Sequence, residues 1–221
     1  NFVKTIKEKP SLHIVFKFSC DIKKLGLNGK KTSENSMVIN YTGTIDNIPG
    51  YEKGLWWIQD FSAMLPLYLL KDMKNKLVID MCSAPGGKTF QALNYGAQLQ
   101  AFEINNDRAN LMKKNLQRLN FKKNITIKNI LKIKDKNKYD IVLLDAPCTS
   151  VGTIRRNPEI FFRKAIPDFK KIISIQNNLL EKAKLIVKKN GVIIYMVCSF
   201  LKEEGEDQIN LFIKKNKNFK L

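Results

Sequence analysis

From residue 77 onward the chain alternates short apolar runs with amphipathic stretches of helical period, and that alternation is the signature of a parallel α/β sheet. The runs Leu77–Asp80 (LVID), Leu99–Glu103 (LQAFE), Ile125–Lys128, Tyr139–Asp145 (YDIVLLD) and Val192–Val197 read as strands. Between and after them, Thr89–Leu93, Asp107–Leu119, Asp168–Lys189 and Glu203–Lys215 read as helices. In the second helix Ala109, Leu111, Met112, Leu116 and Leu119 mark the predicted apolar side. In the third, Lys188 and Lys189 are placed at the C-terminus and Gly191 just beyond it as the capping residue.

The first 50 residues follow a different pattern. His13–Phe18 and Val38–Tyr41 read as strands, and Leu25–Ser36, rich in Gly, Asn, Ser and Lys, reads as a loop. The expectation is a small N-terminal α+β subdomain over residues 1–50, RNA-binding in character, and a larger domain over residues 51–221. A helix is predicted over Asp60–Leu70, capped by Asp60 or Ser62. Because the first residue is Asn, a further region is expected upstream.

In doubly wound sheets ligands bind beyond the carboxyl ends of the strands, and three of the predicted strand ends here carry polar groups. The first is Asp80–Thr89 (DMCSAPGGKT), where Gly86 and Gly87 let the backbone approach a ligand just before a helix begins. A P-loop would need Gly at Cys82, and no G-x-G-x-x-G is present, so a small cationic ligand without pyrophosphate fits better than a nucleoside triphosphate. The second is Glu103, roughly 20 positions after Asp80, where an acid can accept from two ribose hydroxyls. The third is Asp145-Ala146-Pro147-Cys148, followed by TSVGTIRRNP, with Cys198-Ser199 ending the next strand. Two cysteines at such positions can face one another, although two unrelated buried thiols would be the ordinary reading of either alone.

Composition narrows the partners. Lys and Arg total 39 against 20 Asp and Glu, a net charge of +19, which favours a polyanion through counterion release. Abundant Lys, Asn and Ile, with few Arg, also suit an AT-rich coding sequence, so part of the charge is compositional drift. His13 is the single histidine, and the four cysteines lack C-x-x-C spacing; neither a zinc site nor a disulfide framework is expected. No apolar run reaches the ~20 residues of a membrane span, so no membrane partner is expected.

Together DMCSAPGGKT, LLDAPCTSVGTIRRNPEI and MVCSF resemble the NOL1/NOP2/Sun family of RNA cytosine-C5 methyltransferases. The stretches PGYEKGLWWIQD and SIQNNLLEKA resemble its bacterial members that act on 16S rRNA, and the likeness covers roughly residues 45–213. The resemblance implies a Rossmann-like class I S-adenosylmethionine-dependent methyltransferase fold. It implies Cys198 as the nucleophile adding to cytosine C6, Cys148 as the thiol assisting release, and Asp145 as the holder of the base edge. DNA cytosine methyltransferases instead attack with the thiol of the proline-cysteine pair.

For the cofactor the resemblance implies Cys82, Ser83, Ala84, Pro85, Gly86, Gly87 and Lys88 around the methionine portion, Glu103 at the ribose, and Asp145. It also implies an acid after the third strand, where this chain has Asn129, Ile130 and Leu131; Glu103 stands for the usual Asp and Val197 for the usual Thr. Arg155 and Arg156 are candidate phosphate contacts. The expected partner is RNA, 16S rRNA free or in an assembling small subunit, with the protein a cytoplasmic monomer. The same reaction on tRNA, or a non-catalytic RNA-binding or ribosome-assembly role, are the alternatives.

Overall fold

The computed structural model describes residues 10–70, 72–122, 125–164 and 167–221. They form two compact units, Ser11–Ile130 and one made mainly of Leu131–Leu221.

The first unit opens with a four-stranded sheet; residues 1–9 of the expected α+β subdomain lie outside the described residues. Strands β1 (Leu12–Phe16), β2 (Gly29–Ser33), β3 (Ser36–Ile39) and β4 (Trp56–Ile58) order as β2-β3-β1-β4, with antiparallel pairing. Among the described residues up to 58 the only helical segments are short 3-10 turns. Strand β2 lies inside the predicted loop. Its sequence GKKTS has no apolar alternation because it is a sheet edge whose first three residues are exposed. Ile14, Phe16, Ile39, Ile48 and Trp56 bury the apolar face of this sheet.

Trp56–Ile58 pairs with Ile14–Phe16, so the small sheet runs past the expected boundary at residue 50. The turn around Pro49-Gly50 returns the chain to the same sheet, with Leu55 N donating to Gly50 O at 3.0 Å. His13 is buried in this sheet, its ring nitrogens 2.6 Å from Gln59 O and 2.7 Å from Thr32 Oγ1. Its role there is structural.

After helix α1 (Phe61–Leu70), the first unit continues through β5 (Leu77–Asp80), α2 (Gly87–Asn94), β6 (Gln98–Glu103), α3 (Asn106–Arg118) and β7 (Ile125–Ile127). The three strands pair in parallel, β5 with β6 and β6 with β7. Helix α3 starts where Asn105 Oδ1 accepts from Arg108 N at 2.9 Å, a cap worth about 1 kcal/mol. Ala109, Met112 and Leu116 face inward as predicted, whereas Leu111 is 52% exposed; a single apolar residue at the flank of the stripe does not need to be buried.

Arg118, at the end of α3, ties the small sheet to this helix. Its Nη1 donates to Tyr51 O at 2.9 Å, and its guanidinium stacks 4.1 Å from the Tyr51 ring centroid. Trp57 of β4 meets the rings of Phe90 and Phe121, and Gln59 Nε2 donates to Gln91 Oε1 of α2 at 2.9 Å. The small sheet therefore braces the helix that follows the glycine turn.

The second unit pairs β8 (Tyr139–Asp145) in parallel with β9 (Val187–Met196), joined through α4 (Phe169–Ile186), and ends in α5 (Glu206–Lys215). Helix α4 stops at Ile186, earlier than expected, because β9 begins at once. Pairing passes from Tyr139↔Val187 to Ile141↔Val192, so residues 188–191 bulge outward, with Asn190 at φ 62°. Lys188 consequently serves not the helix terminus but Asp140, donating to Oδ1 at 2.9 Å. Lys189 and Gly191 likewise lie within the strand, and a Cβ at Gly191 would stand 2.9 Å from Asp140 O. Among the described residues no helix is long and apolar enough to cross a membrane.

Candidate active site

The predicted residues fall into two groups, one in each unit. In the first unit, β5 ends at Asp80, which accepts a 2.7 Å hydrogen bond from Thr89 Oγ1. That bond pins the start of α2 to the strand end and shapes the intervening loop. Gly86 sits at φ 117°, and a Cβ there would fall 2.1 Å from the Phe90 ring, so only glycine lets the turn close over this ring. No side chain caps α2 at Gly86, which leaves the N-terminal end of the helix to an anionic or polar ligand group.

Glu103, buried at the end of β6, reaches this same loop. Its Oε2 accepts from Ala84 N at 3.3 Å, and its Oε1 accepts from Ile104 N at 2.9 Å and Asn105 N at 3.0 Å. Arg108 Nη1 stands 3.8 Å from Oε2, and its Nη2 donates to Ala84 O. The fold thus brings Glu103 against the glycine turn. Two backbone donors occupy Oε1, so Oε2 is the better placed oxygen for a ligand hydroxyl.

The Ser83 hydroxyl and amide both donate to Phe102 O at 2.9 Å, which locks the start of the loop to β6. Ala84 is buried, Pro85 is exposed, Cys82 and Lys88 are half-buried, and Gly87 lies beside the Gln59 side chain. A buried acid, an uncapped helix N-terminus and a glycine-tight turn form a donor set that fits a small amino-acid nucleoside.

In the second unit, Asp145 ends β8 opposite Met196 of β9, and Cys148 and Cys198 follow these strand ends. Their sulfurs lie 3.1 Å apart. Ser150 Oγ is 3.3 Å from the Cys198 sulfur, close enough for the hydroxyl to donate to a thiolate. Ser150 holds φ 62°, an uncommon backbone position for a non-glycine residue, and Gly152 N donates to Cys198 O at 3.0 Å. The loop after Cys148 therefore wraps the backbone of the second cysteine.

These contacts set the ionisation of the pair. Hydrogen bonding from Cys148 is the largest influence on Cys198; with Ser150 it outweighs burial and the negative charge of Asp145, lowering the thiol to about 6. Cys148 moves the other way, raised by its bond to Cys198 and by burial. The shared hydrogen bond thus pushes the two thiols in opposite directions, Cys198 toward the thiolate and Cys148 toward the thiol.

Arg155 and Arg156 are exposed in the segment beyond this loop. Sequence reasoning missed four residues around the thiols. Arg163 Nη1 donates to Thr149 O at 3.0 Å; Thr149, Gln176 and Glu204 form a buried polar cluster. Gln176 had a usable signal, since it sits on the apolar face of α4 between Ile172 and Leu180. Glu204 had none, because it stands in the run KEEGED among solvated acids. Among the described residues no group of three or more His, Cys, Asp or Glu side chains is arranged to hold a metal ion.

Residues 67–221 match the family described as 16S rRNA methyltransferase RsmB/F. Ribosomal RNA small subunit methyltransferase B of Photorhabdus laumondii is 34% identical over 179 residues, covering 79% of this chain and 42% of that protein. The chain therefore spans about two-fifths of the length of such curated relatives. Among solved structures, a methyltransferase homolog protein from Pyrococcus horikoshii is 25% identical with a TM-score of 0.78, covering 96% of this chain and 72% of that one. NSun6 from the same organism, solved with SFG, is 25% identical with a TM-score of 0.69 and covers 79% of this chain and 46% of that one. The parallel strands and these likenesses make the fold a Rossmann-like methyltransferase fold.

Proposed function

The chain belongs to the RsmB/F family of 16S rRNA methyltransferases, and on that premise we propose that it methylates carbon 5 of a cytosine in RNA through a covalent adduct on Cys198. The observation that carries this reading is the 3.1 Å approach of Cys148 and Cys198, with Cys198 held as the thiolate. A lone structural thiol has no use for such a donor.

Cytosine C5 is a weak nucleophile. When the Cys198 thiolate adds to C6, the S–C6 bond forms and the C5=C6 electron pair moves onto C5. S-adenosylmethionine, when bound, supplies a methyl group made electrophilic by its sulfonium. The residues that hold it are the Cys82–Lys88 loop, whose backbone and helix start take the amino-acid end, and Glu103, which takes the ribose. Asp145, at the end of β8, holds the base edge through N3 or the exocyclic amine.

A base, water in the open site, then takes the C5 proton; the C5–H electron pair restores the C5=C6 bond and the S–C6 pair leaves with Cys198 as a thiolate. Cys148, protonated and within 3.1 Å, offers its S–H to the departing sulfur, which makes that thiolate the better leaving group. The target base reaches these groups only when it is out of any stack. Arg155 and Arg156, exposed beyond the thiol loop, contact the phosphates.

The names of the relatives and the net charge of +19 favour small-subunit rRNA as the substrate. Labelled S-adenosylmethionine, offered with 16S rRNA, 30S particles or tRNA, tests the reading. Label at C5 of cytosine in the small-subunit RNA is expected. Label only on tRNA moves the substrate, and label on none of them removes the catalytic reading.

A further inference from the structure

The two thiols lie on loops with little regular structure, yet their separation is set to within hydrogen-bonding reach. What holds those loops is a single buried carboxylate. Glu204 is fully buried, and its Oε2 accepts from Thr149 Oγ1 at 2.6 Å while its Oε1 accepts from Thr149 N at 2.8 Å. Gln176 Nε2 donates to the same Oε1 at 3.2 Å and also to Pro147 O at 2.9 Å. The residues on both sides of Cys148 are thereby tied to one anion.

The other cysteine is tied to it as well. Ser199, next to Cys198, places its hydroxyl 3.3 Å from Thr149 Oγ1, whose own proton goes to the carboxylate, and lies close enough to Glu204 to lower its pKa. Glu204 is itself held, since Tyr195 of β9 donates its hydroxyl to Glu204 O at 2.6 Å. A buried carboxylate costs several kcal/mol unless its lone pairs are filled, and here the donors come from both thiol-bearing loops and from α4. Burial acts to raise its pKa, but the bonds from Ser199, Thr149 and Gln176 prevail and keep it anionic.

We propose that Glu204 is a positioning residue that sets the Cys148–Cys198 geometry by clamping Thr149, Gln176 and Ser199 to one buried anion. It does not touch the base or the cofactor. Its part in catalysis rests on the reading of Cys198 as nucleophile, but its part in the geometry does not.

The test uses two near-isosteric variants, Glu204→Gln and Thr149→Val, and the pH profile of Cys198 alkylation by iodoacetamide without RNA. Loss of the clamp lets Ser150 and Cys148 drift from the Cys198 sulfur, so the midpoint of alkylation is expected to rise toward the ordinary thiol value of ~8.5 in both variants. Methyl transfer should fall by about 10- to 100-fold, with cofactor affinity unchanged.

The sign is decisive for Glu204→Gln. Removing a negative charge by electrostatics alone would lower the midpoint, so a lowered or unmoved midpoint overturns the clamp. A drop in melting temperature with an unmoved midpoint shows a merely structural role and overturns it too. Should Glu204→Gln not fold, Thr149→Val decides by the same shift. Failure of the nucleophile reading appears separately, as methylation retained by Cys198→Ala.

Discussion

The sulfur of Cys148 lies 3.1 Å from the sulfur of Cys198, although 50 positions separate them in the chain. Parallel pairing of β8 with β9 brings the two strand ends side by side, and the Ser150–Gly152 turn closes the gap. A proton held between two sulfurs lowers the pKa of one thiol and raises that of the other. The consequences are measurable.

Alkylation of Cys198 should follow a titration with a midpoint near 6. The folded value is depressed, so the thiolate is present above that pH and is lost as pH falls through it. Iodoacetamide reactivity and methyl transfer should therefore both decline below about pH 6. Peptide mapping of alkylation against pH checks this, and a midpoint near an ordinary thiol would contradict the pairing.

Cys198→Ala should abolish turnover while leaving cofactor affinity within about twofold, since the proposed cofactor contacts are the Cys82–Lys88 loop and Glu103. Calorimetry with S-adenosylmethionine, beside a labelled methyl assay, measures both. Methylation that survives this substitution removes the covalent step.

Cys148→Ala deletes the acid that assists release, so a protein–RNA adduct should accumulate as a band resistant to denaturation. The same change removes the main donor to Cys198 and should slow adduct formation by raising its thiol. The adduct is thus expected to build up gradually and to persist. Gel analysis over time, with Cys198→Ala as the blank, reads it.

A mild dithiol oxidant such as diamide should join Cys148 to Cys198, taking two electrons from the pair and releasing their protons. Non-reducing peptide maps should show this pair linked and Cys20 and Cys82 free. A different linkage pattern would mean that the sulfurs are not neighbours.

Gly86→Ala should destabilise the glycine turn by about 1–3 kcal/mol, because φ 117° disfavours a side chain and the new Cβ meets the Phe90 ring. Glu103→Gln, which keeps size but loses charge, should weaken cofactor affinity about tenfold, or about 1.4 kcal/mol. Thermal denaturation and calorimetry distinguish the two effects.

Much of the parallel α/β part was legible from residue order, because buried strands such as Tyr139–Asp145 need unbroken apolar runs and the helices show their own period. The placement of the candidate site was legible for a related reason: Asp80, Glu103, Asp145 and the two cysteines sit at or near strand ends, where side chains of unusual type have few structural uses. Errors fell where local pattern is silent. Strand β2 is an exposed polar edge, and the end of α4 is settled by pairing of Val187 with Tyr139, not by Lys188 or Gly191.

By itself the amino-acid order determined the parallel strands and helices after residue 77, the motifs at their strand ends, and the family to which the chain belongs. Only the tertiary structure decided that Cys148 and Cys198 share a hydrogen bond, that Trp57 and Gln59 brace the glycine turn, and that Glu204 is interior while its neighbour Glu203 is exposed. The physical reason is that hydrogen bonds and desolvation act over about 3 Å in space. They join residues such as 149 and 204, or 148 and 198, whose separation along the chain leaves no periodic trace.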